Sequence, residues 1–416
     1  MSTAKKILYV SIFDIVSKTI SGVTTIFLIR ILSQEEYALY TNFTTVYSFL
    51  GGFVFFSLNY SLVRISAEYI SIHNKKPLDL YTFSVILQLL LYLLIFLIVY
   101  PNADLISNLV FQSDKYTKSI RLSLFAAFSL ILFNINLSIL QSQEDFKKYN
   151  YTNLIKNLLF QALLTLILLF SKVNFEKVAF ALTISQLIVS FYIILPLLRY
   201  MKNRSLHQTF NRKWNLFLSY ISENKYLILY FILLEILSKI DIFMLSRYSS
   251  AHELANYGVA QKYYYIFLQM LASIHTVLLP KFSKVEMRDK SIKKRFAIKW
   301  IKITSIVGAI LIISYFLFKD LYILLNTPAY TYSYKILFPF MFSVIQGITL
   351  SPLVNILIAN KEYKFLAVVV VFAILFSCVA SYTAAKYGNA VWVATAYMLS
   401  HAIVNLSVSF KVILNR

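Results

Sequence analysis

The chain is short of several things, and each shortage removes a class of answer. It has one cysteine, Cys378, in 416 residues, so no intramolecular disulfide, cysteine-ligated metal centre or iron–sulfur cluster can form. Its five histidines are scattered and show no metal-ligand spacing. No Gly-x-x-x-x-Gly-Lys-Ser/Thr segment occurs, which excludes nucleotide binding by a P-loop. Charged residues make up 14% of the chain, against roughly 25% in soluble domains. Acids are the scarcest charges, 18 against 40 Lys and Arg, and the net charge is +22. With so much apolar sequence, that excess points to loops held at an anionic membrane surface and not to nucleic acid. Part of it is compositional. Lys, Ile, Asn, Phe and Tyr are abundant and Gly and Ala sparse, as an AT-rich coding sequence gives.

What the chain does have is apolar residues, 59% of the total, in blocks the length of a membrane crossing. Polar, Pro, Gly or Asn breaks separate about twelve blocks, near 7–30, 40–63, 81–100, 121–142, 152–171, 177–199, 222–246, 256–280, 297–318, 333–359, 363–385 and 389–411. The tenth holds Pro339, Gly347 and Pro352 and is expected to kink or break. Lys5 and Lys6 precede a first block with no small-residue cleavage site, so it reads as a retained span. With the N-terminus inside, roughly 24 basic residues fall inside and roughly 10 outside, which places both termini in the cytoplasm. No loop is long enough for a soluble domain. The longest link, near 200–220, lies at the midpoint and divides the chain into lobes 1–205 and 206–416. The expected fold is an all-α integral membrane protein with about twelve transmembrane helices in two six-helix bundles.

The halves resemble each other. A constant offset of 217 pairs Leu28 with Leu245, Arg30 with Arg247, Ser33 with Ser250, Glu36 with Glu253, Tyr40 with Tyr257 and Arg64 with Lys281. Six spans is an even number, so such repeats share one orientation and are related by a pseudo-two-fold along the membrane normal. Each first span also carries an acid, two apolar residues, Ser and Lys: Asp14 to Lys18, and Glu235 to Lys239. The offset places Lys18 opposite Glu235, so the likeness of these pentapeptides is physical and does not follow the repeat register. Four residues is just over one helical turn, and the two segments are expected to present similar faces at similar depth. Charges inside spans usually face a bundle interior or wet cavity and mark substrate or ion pathways.

The segment from Arg30 to Tyr40 (RILSQEEYALY) after a first span, and the segment from Lys239 to Ser246 (KIDIFMLS) followed by Asn256-Tyr257-Gly258-Val259-Ala260, resemble the polysaccharide-export flippases. These are Wzx-type translocases of the multidrug/oligosaccharidyl-lipid/polysaccharide exporter superfamily. Ala38 stands where that family commonly has Gly. The resemblance implies movement of an undecaprenyl-diphosphate-linked sugar unit across the bacterial cytoplasmic (inner) membrane by alternating access, feeding O-antigen or capsule assembly. It implies no cofactor, coupling to a proton or sodium gradient, and a polysaccharide polymerase and chain-length machinery as partners beside the membrane lipids.

A diphosphate needs cations, and the spans supply Lys18, Lys239 and Lys262, with Arg30, Arg64 and Arg247 near their ends. Asp14, Glu235 and Asp241 are the candidates for ion coupling, Asp241 foremost because no lysine lies four residues after it. Lys156 reads as an interfacial anchor. A cation-coupled multidrug exporter is the alternative, but such substrates call for an acidic cavity. A membrane polysaccharide polymerase needs a larger outer loop than 101–120 or 319–333. A lipid II flippase typically carries fourteen spans.

Overall fold

The computed structural model describes residues 3–202, 225–282 and 290–414, with 214 and 222. Every expected apolar block coincides with helix: α1 (Thr3–Ile31), α2 (Gln34–His73), α3 (Leu78–Val99), α5 (Thr117–Ser142), α6 (Phe146–Phe170), α7 (Phe175–Lys202), α8 (225–237) with α9 (Ile240–Tyr248), α10 (Ala251–Phe282), α11 (Lys290–Leu317), α13 (Thr331–Ala359), α14 (Tyr363–Tyr387) and α15 (Ala390–Leu414). Among the described residues seven helices are long and apolar enough on their own to cross a membrane, and no strand occurs. Two short helices were not expected from the sequence, α4 (Ala103–Phe111) and α12 (Lys319–Leu325). Each follows the third span of its half, and a 3₁₀ turn after each leads into the fourth span, at Asp114–Tyr116 and Pro328–Tyr330.

The element bounds repeat in the register expected from the sequence. Ile31 and Tyr248 end their helices, and Gln34 and Ala251 begin the next, 217 apart in both cases. The starts are capped alike. Ser33 Oγ accepts the Glu36 N–H at 3.3 Å, and Ser250 Oγ accepts the Glu253 N–H at 3.2 Å. A Ser at the N-cap with Glu three residues on is a capping-box pattern, written twice in the same register.

The chain groups into two compact units, one of 1–20 and 42–235, the other of 21–41 and 236–416. The expected boundary at 205/206 lies outside the described residues. In the first unit α5 is the central element. Ala127, Ile131, Ile135 and Ile139 pack with Tyr81, Val85 and Tyr92 of α3 and Leu62 of α2. Lipid tails are as apolar as leucine, so polar bonds also join the helices. Gln88 donates to Asn59 at 2.9 Å, Ser129 to Gln186 at 2.7 Å, and Asn136 to the Ser190 carbonyl at 2.9 Å.

In the second unit α13 is central and is packed by α10, α11 and α15. It runs as one helix through both prolines, so of the kink or break expected there the break does not occur. Pro352 has no N–H to give the carbonyl of Ile348 four residues back. The Trp300 indole N–H from α11 reaches that carbonyl at 3.1 Å. The chain breaks elsewhere, at Ser238–Lys239 within the seventh span, where neither Gly nor Pro is present.

Within this unit α2 and α10 cross where Thr41 meets Gly258, positions 217 apart and so equivalent in the repeat. A Cβ on Gly258 would lie 2.8 Å from Thr41 Cγ2 and 2.9 Å from Thr41 Cβ, so glycine is required by the approach.

Trp300→Phe keeps the ring and removes the donor to Ile348. Thermal unfolding in detergent is expected to show a loss of about 1–3 kcal/mol. Pro352→Ala on that background restores an N–H and should recover most of the loss. A double variant no more stable than Trp300→Phe would contradict this account of the uninterrupted helix.

Candidate functional site

The interruption at Ser238–Lys239 organises the ionisable side chains of the second unit. The α8 helix closes with the Lys239 N–H donating to the Ile236 carbonyl at 3.1 Å, and Lys239 becomes the N-cap of α9. Asp241 then lies in the first turn of α9, where exposed N–H groups favour a carboxylate. Its side chain is fully buried. One carboxylate oxygen accepts a hydrogen bond from the Tyr257 hydroxyl, and the other is buried without a hydrogen-bond partner.

Lys239 is 8% exposed, and its ammonium lies 5.9 Å from the centre of the Tyr265 ring. Lys262 holds its ammonium 5.3 Å from the Tyr40 ring. Lys239 lies within electrostatic reach of both Asp241 and Lys262. Two lysines and a carboxylate thus lie beside tyrosines, whose ring faces attract cations through the quadrupole. Tyr264 and Tyr397 add to these tyrosines, with hydroxyls 3.2 Å apart. Tyr40 and Tyr257 were missed as site residues, because aromatics at span positions read first as packing or interfacial groups, whereas of the run Tyr263 to Tyr265 one or two rings at most were expected to reach a substrate.

Arg30 is placed differently. Its Nε donates to the Leu325 carbonyl at 2.9 Å and its terminal nitrogen to Leu324 at 2.6 Å, closing the C-terminal end of α12. Gln34 donates to the Ala329 carbonyl at 2.5 Å, and Tyr37 meets Tyr330 edge-on at 5.7 Å. The α1–α2 corner is thereby strapped to the link between α12 and α13. The repeat partner Arg247 instead lies 5.3 Å over the Tyr248 ring.

The first unit holds Lys18 and Glu235. Lys18 is half-buried in uninterrupted α1, beside Ser17, which accepts from Asn157 of α6 at 2.9 Å. Its surroundings therefore differ from those of Lys239 at a helix break, despite the matching pentapeptides. Glu235 lies against Gly52, where an added Cβ would come within 2.9 Å of Glu235 Cδ. Lys156 holds its ammonium 5.0 Å from the Phe133 ring. Asp14 is on α1 and Arg64 on α2, and their side chains lie outside the described residues. Among the described residues no group of three or more His, Cys, Asp or Glu could hold a metal ion.

Fold and site together define a multi-pass helical membrane protein with an interrupted span and buried charges at the interruption. The chain belongs to the polysaccharide biosynthesis protein family, whose model matches residues 3–286. Its fold is that of the MOP-superfamily transporters. The lipid II flippase MurJ in an inward closed conformation superimposes with a TM-score of 0.75 at 16% identity, over 98% of this chain and 90% of that one. An inward-facing multidrug resistance MATE family transporter of the MOP superfamily gives 0.74 at 15% identity, over 97% and 98%. A MOP superfamily transporter from Pyrococcus furiosus gives 0.65 at 14% identity, over 98% and 95%. No curated protein matches the chain at a significant level.

Two predictions follow the geometry. Tyr257→Phe strips Asp241 of its hydroxyl donor and is expected to lower stability by about 1–3 kcal/mol. Combined with Asp241→Asn it should cost clearly less than the sum of the two single changes, since they share one contact; additive losses would rule out the coupling. Arg30→Gln removes donors from the end of α12. Amide exchange over 319–330 is expected to speed up by about fivefold, the equivalent of about 1 kcal/mol. Unchanged exchange there would show that the strap holds nothing.

Proposed function

We propose that this protein is a flippase that carries undecaprenyl-diphosphate-linked oligosaccharide units across the bacterial cytoplasmic membrane for O-antigen or capsule assembly. One observation carries the reading: the seventh span is interrupted, and the interruption places Lys239 and Asp241 beside tyrosines of the helix that also carries Lys262. Interrupted helices in transporters supply binding groups where backbone would otherwise be sealed in hydrogen bonds. The family match and the transporter fold support the same reading.

A diphosphate asks for cations, sugar rings for aromatic faces, and a polyprenyl tail for an opening to lipid. Lys239 and Lys262 supply the first in the second unit and Lys18 in the first, with Arg64 and Arg247 as outer contributors. Asp241 offers a carboxylate with one oxygen lacking a protein partner, the arrangement from which a proton or sodium ion would couple the cycle. Glu235 and Asp14 are the remaining coupling candidates. Both termini lie in the cytoplasm, and the product passes to a polymerase and its chain-length machinery. The cation excess disfavours export of cationic drugs, which an acidic cavity would suit.

The test is single substitution of Lys18, Lys239 and Asp241 to Ala, with surface polymer and lipid-linked intermediate assayed together. Polymer is expected to fall by at least about tenfold, a transport loss of about 1.4 kcal/mol or more, while the intermediate accumulates. Full polymer production in all three variants would refute the site. Lost polymer without accumulated intermediate would refute the flippase reading.

A further inference from the structure

The α11 helix carries no acid along its length, and its first half is strongly basic. Lys294, Arg295, Lys299 and Lys302 are all exposed, and among the described residues none has an ion-pair partner. At about 100° per residue the four fall within an arc of about 140°. Ile306, Ile310, Ile313 and Leu317 lie on that same face, 57–75% exposed. The opposite face is the packed one. Ala297, Thr304 and Gly308 are buried there, Thr349 of α13 donates to Thr304 at 2.9 Å, and a Cβ on Gly308 would lie 2.8 Å from Ile345 Cδ1.

The cations therefore continue the lipid-facing side of the helix and do not turn towards the unit's interior. Depth fixes them further. The apolar run 303–318 rises about 24 Å, less than the roughly 30 Å of hydrocarbon, so Lys299 and Lys302 sit at its edge and must reach headgroups. In the repeat register the stretch equivalent to 294–302 is 77–85, which holds no cation and one acid, Asp79, with Lys75 and Lys76 just before it.

We propose that the basic end of α11 is a binding surface for the anionic phospholipid headgroups of the surrounding leaflet. Lys294, Arg295, Lys299 and Lys302 take the phosphates, and the apolar strip beyond them receives the acyl chains. Charge complementarity and continuity with the lipid-facing strip select this occupant. The surface holds one leaflet's anionic lipid against α11 and, through the Trp300 bond to Ile348, against α13.

The full-length protein has three tryptophans, and Trp214→Phe with Trp392→Phe leaves Trp300 as reporter. Reconstituted in phosphatidylcholine, its fluorescence is titrated with brominated phosphatidylglycerol and, separately, brominated phosphatidylcholine. The anionic lipid is expected to bind at least about fivefold more tightly, a preference that falls between 0.1 and 1 M salt. It should vanish in K294Q/R295Q/K299Q/K302Q and persist in K294R/K299R/K302R. Should the fourfold variant not reconstitute, K294Q/R295Q and K299Q/K302Q carry the same test, each expected to reduce the preference. Equal quenching by the two lipids, or a preference unmoved by Gln, overturns the proposal. Displacement of the brominated lipid by a polyprenyl diphosphate far below the concentration at which phosphatidylglycerol displaces it also overturns it, assigning the surface to the transport path.

Discussion

A backbone carbonyl in hydrocarbon has no water to turn to, so each one a helix leaves unbonded must find a donor on another element. That constraint sets which elements can be packed together in the second unit. Pro352 frees Ile348, and the donor is Trp300, which fixes α11 against α13 at that level. The short α12 ends in carbonyls at Leu324 and Leu325, and the donor is Arg30, which fixes the end of α1 to the α12–α13 link. Both are long-range contacts made by side chains with donors on rigid planar groups. A flexible donor would lose more side-chain entropy for the same bond. Arg30 was a candidate for substrate contact on sequence grounds. Two of its donors hold a helix end in this structure, a function the sequence gives no means to foresee.

The repeat explains how such devices arose asymmetrically. Both halves open with a span, a Ser-capped turn with Glu three residues on, and a long second helix, in the same register. Thr41 and Gly258 occupy equivalent positions and touch each other, as the two sides of an isologous contact do. Against that common frame the differences stand out. Arg30 caps a helix while Arg247 stacks on its neighbour, Lys18 rides an unbroken helix while Lys239 caps a broken one, and α11 carries a basic face where α3 has Asp79. The shared features are backbone geometry, and the divergent ones are charges.

Spans were legible because hydrophobic length is a bulk property of twenty residues, and small errors at the ends average out. The helix starts at Gln34 and Ala251 were legible because capping is local, written within four residues. The tenth span was not, because whether a proline breaks a helix depends on a donor that arrives from α11. The break at Ser238–Lys239 was equally hidden. Ser238, Lys239 and Asp241 are polar but no two of them form a recognised breaker, and the break is defined by what Asp241 meets on α10. The short α4 was invisible for another reason. Ser107 and Phe111 are buried on one side of nine residues, too few for a helical period to emerge from a loop. For the candidate site, the charges could be read in sequence but their grouping could not. Lys239, Asp241 and Lys262 gather in one unit together with Arg30, whereas Lys18 and Glu235 belong to the other.

On the proposed function the buried charges are a working part and not a source of stability. Removing a carboxylate and an ammonium from water is expensive, and the attraction between them often only offsets that expense. Apolar residues at 241 and 257 together would pack more cheaply, since neither partner would be left unpaired. On that proposal Asp241 exchanges partners during the cycle, which a carboxylate held by a single side-chain donor does with little rearrangement. The tyrosines serve the same end. The Tyr40 ring face holds Lys262 weakly, by about 0.5–2 kcal/mol, where a carboxylate would hold it tightly. On the proposed function, a cation kept in place by an aromatic face, as Lys262 is, exchanges that weak contact for an incoming anion and regains it when the anion leaves.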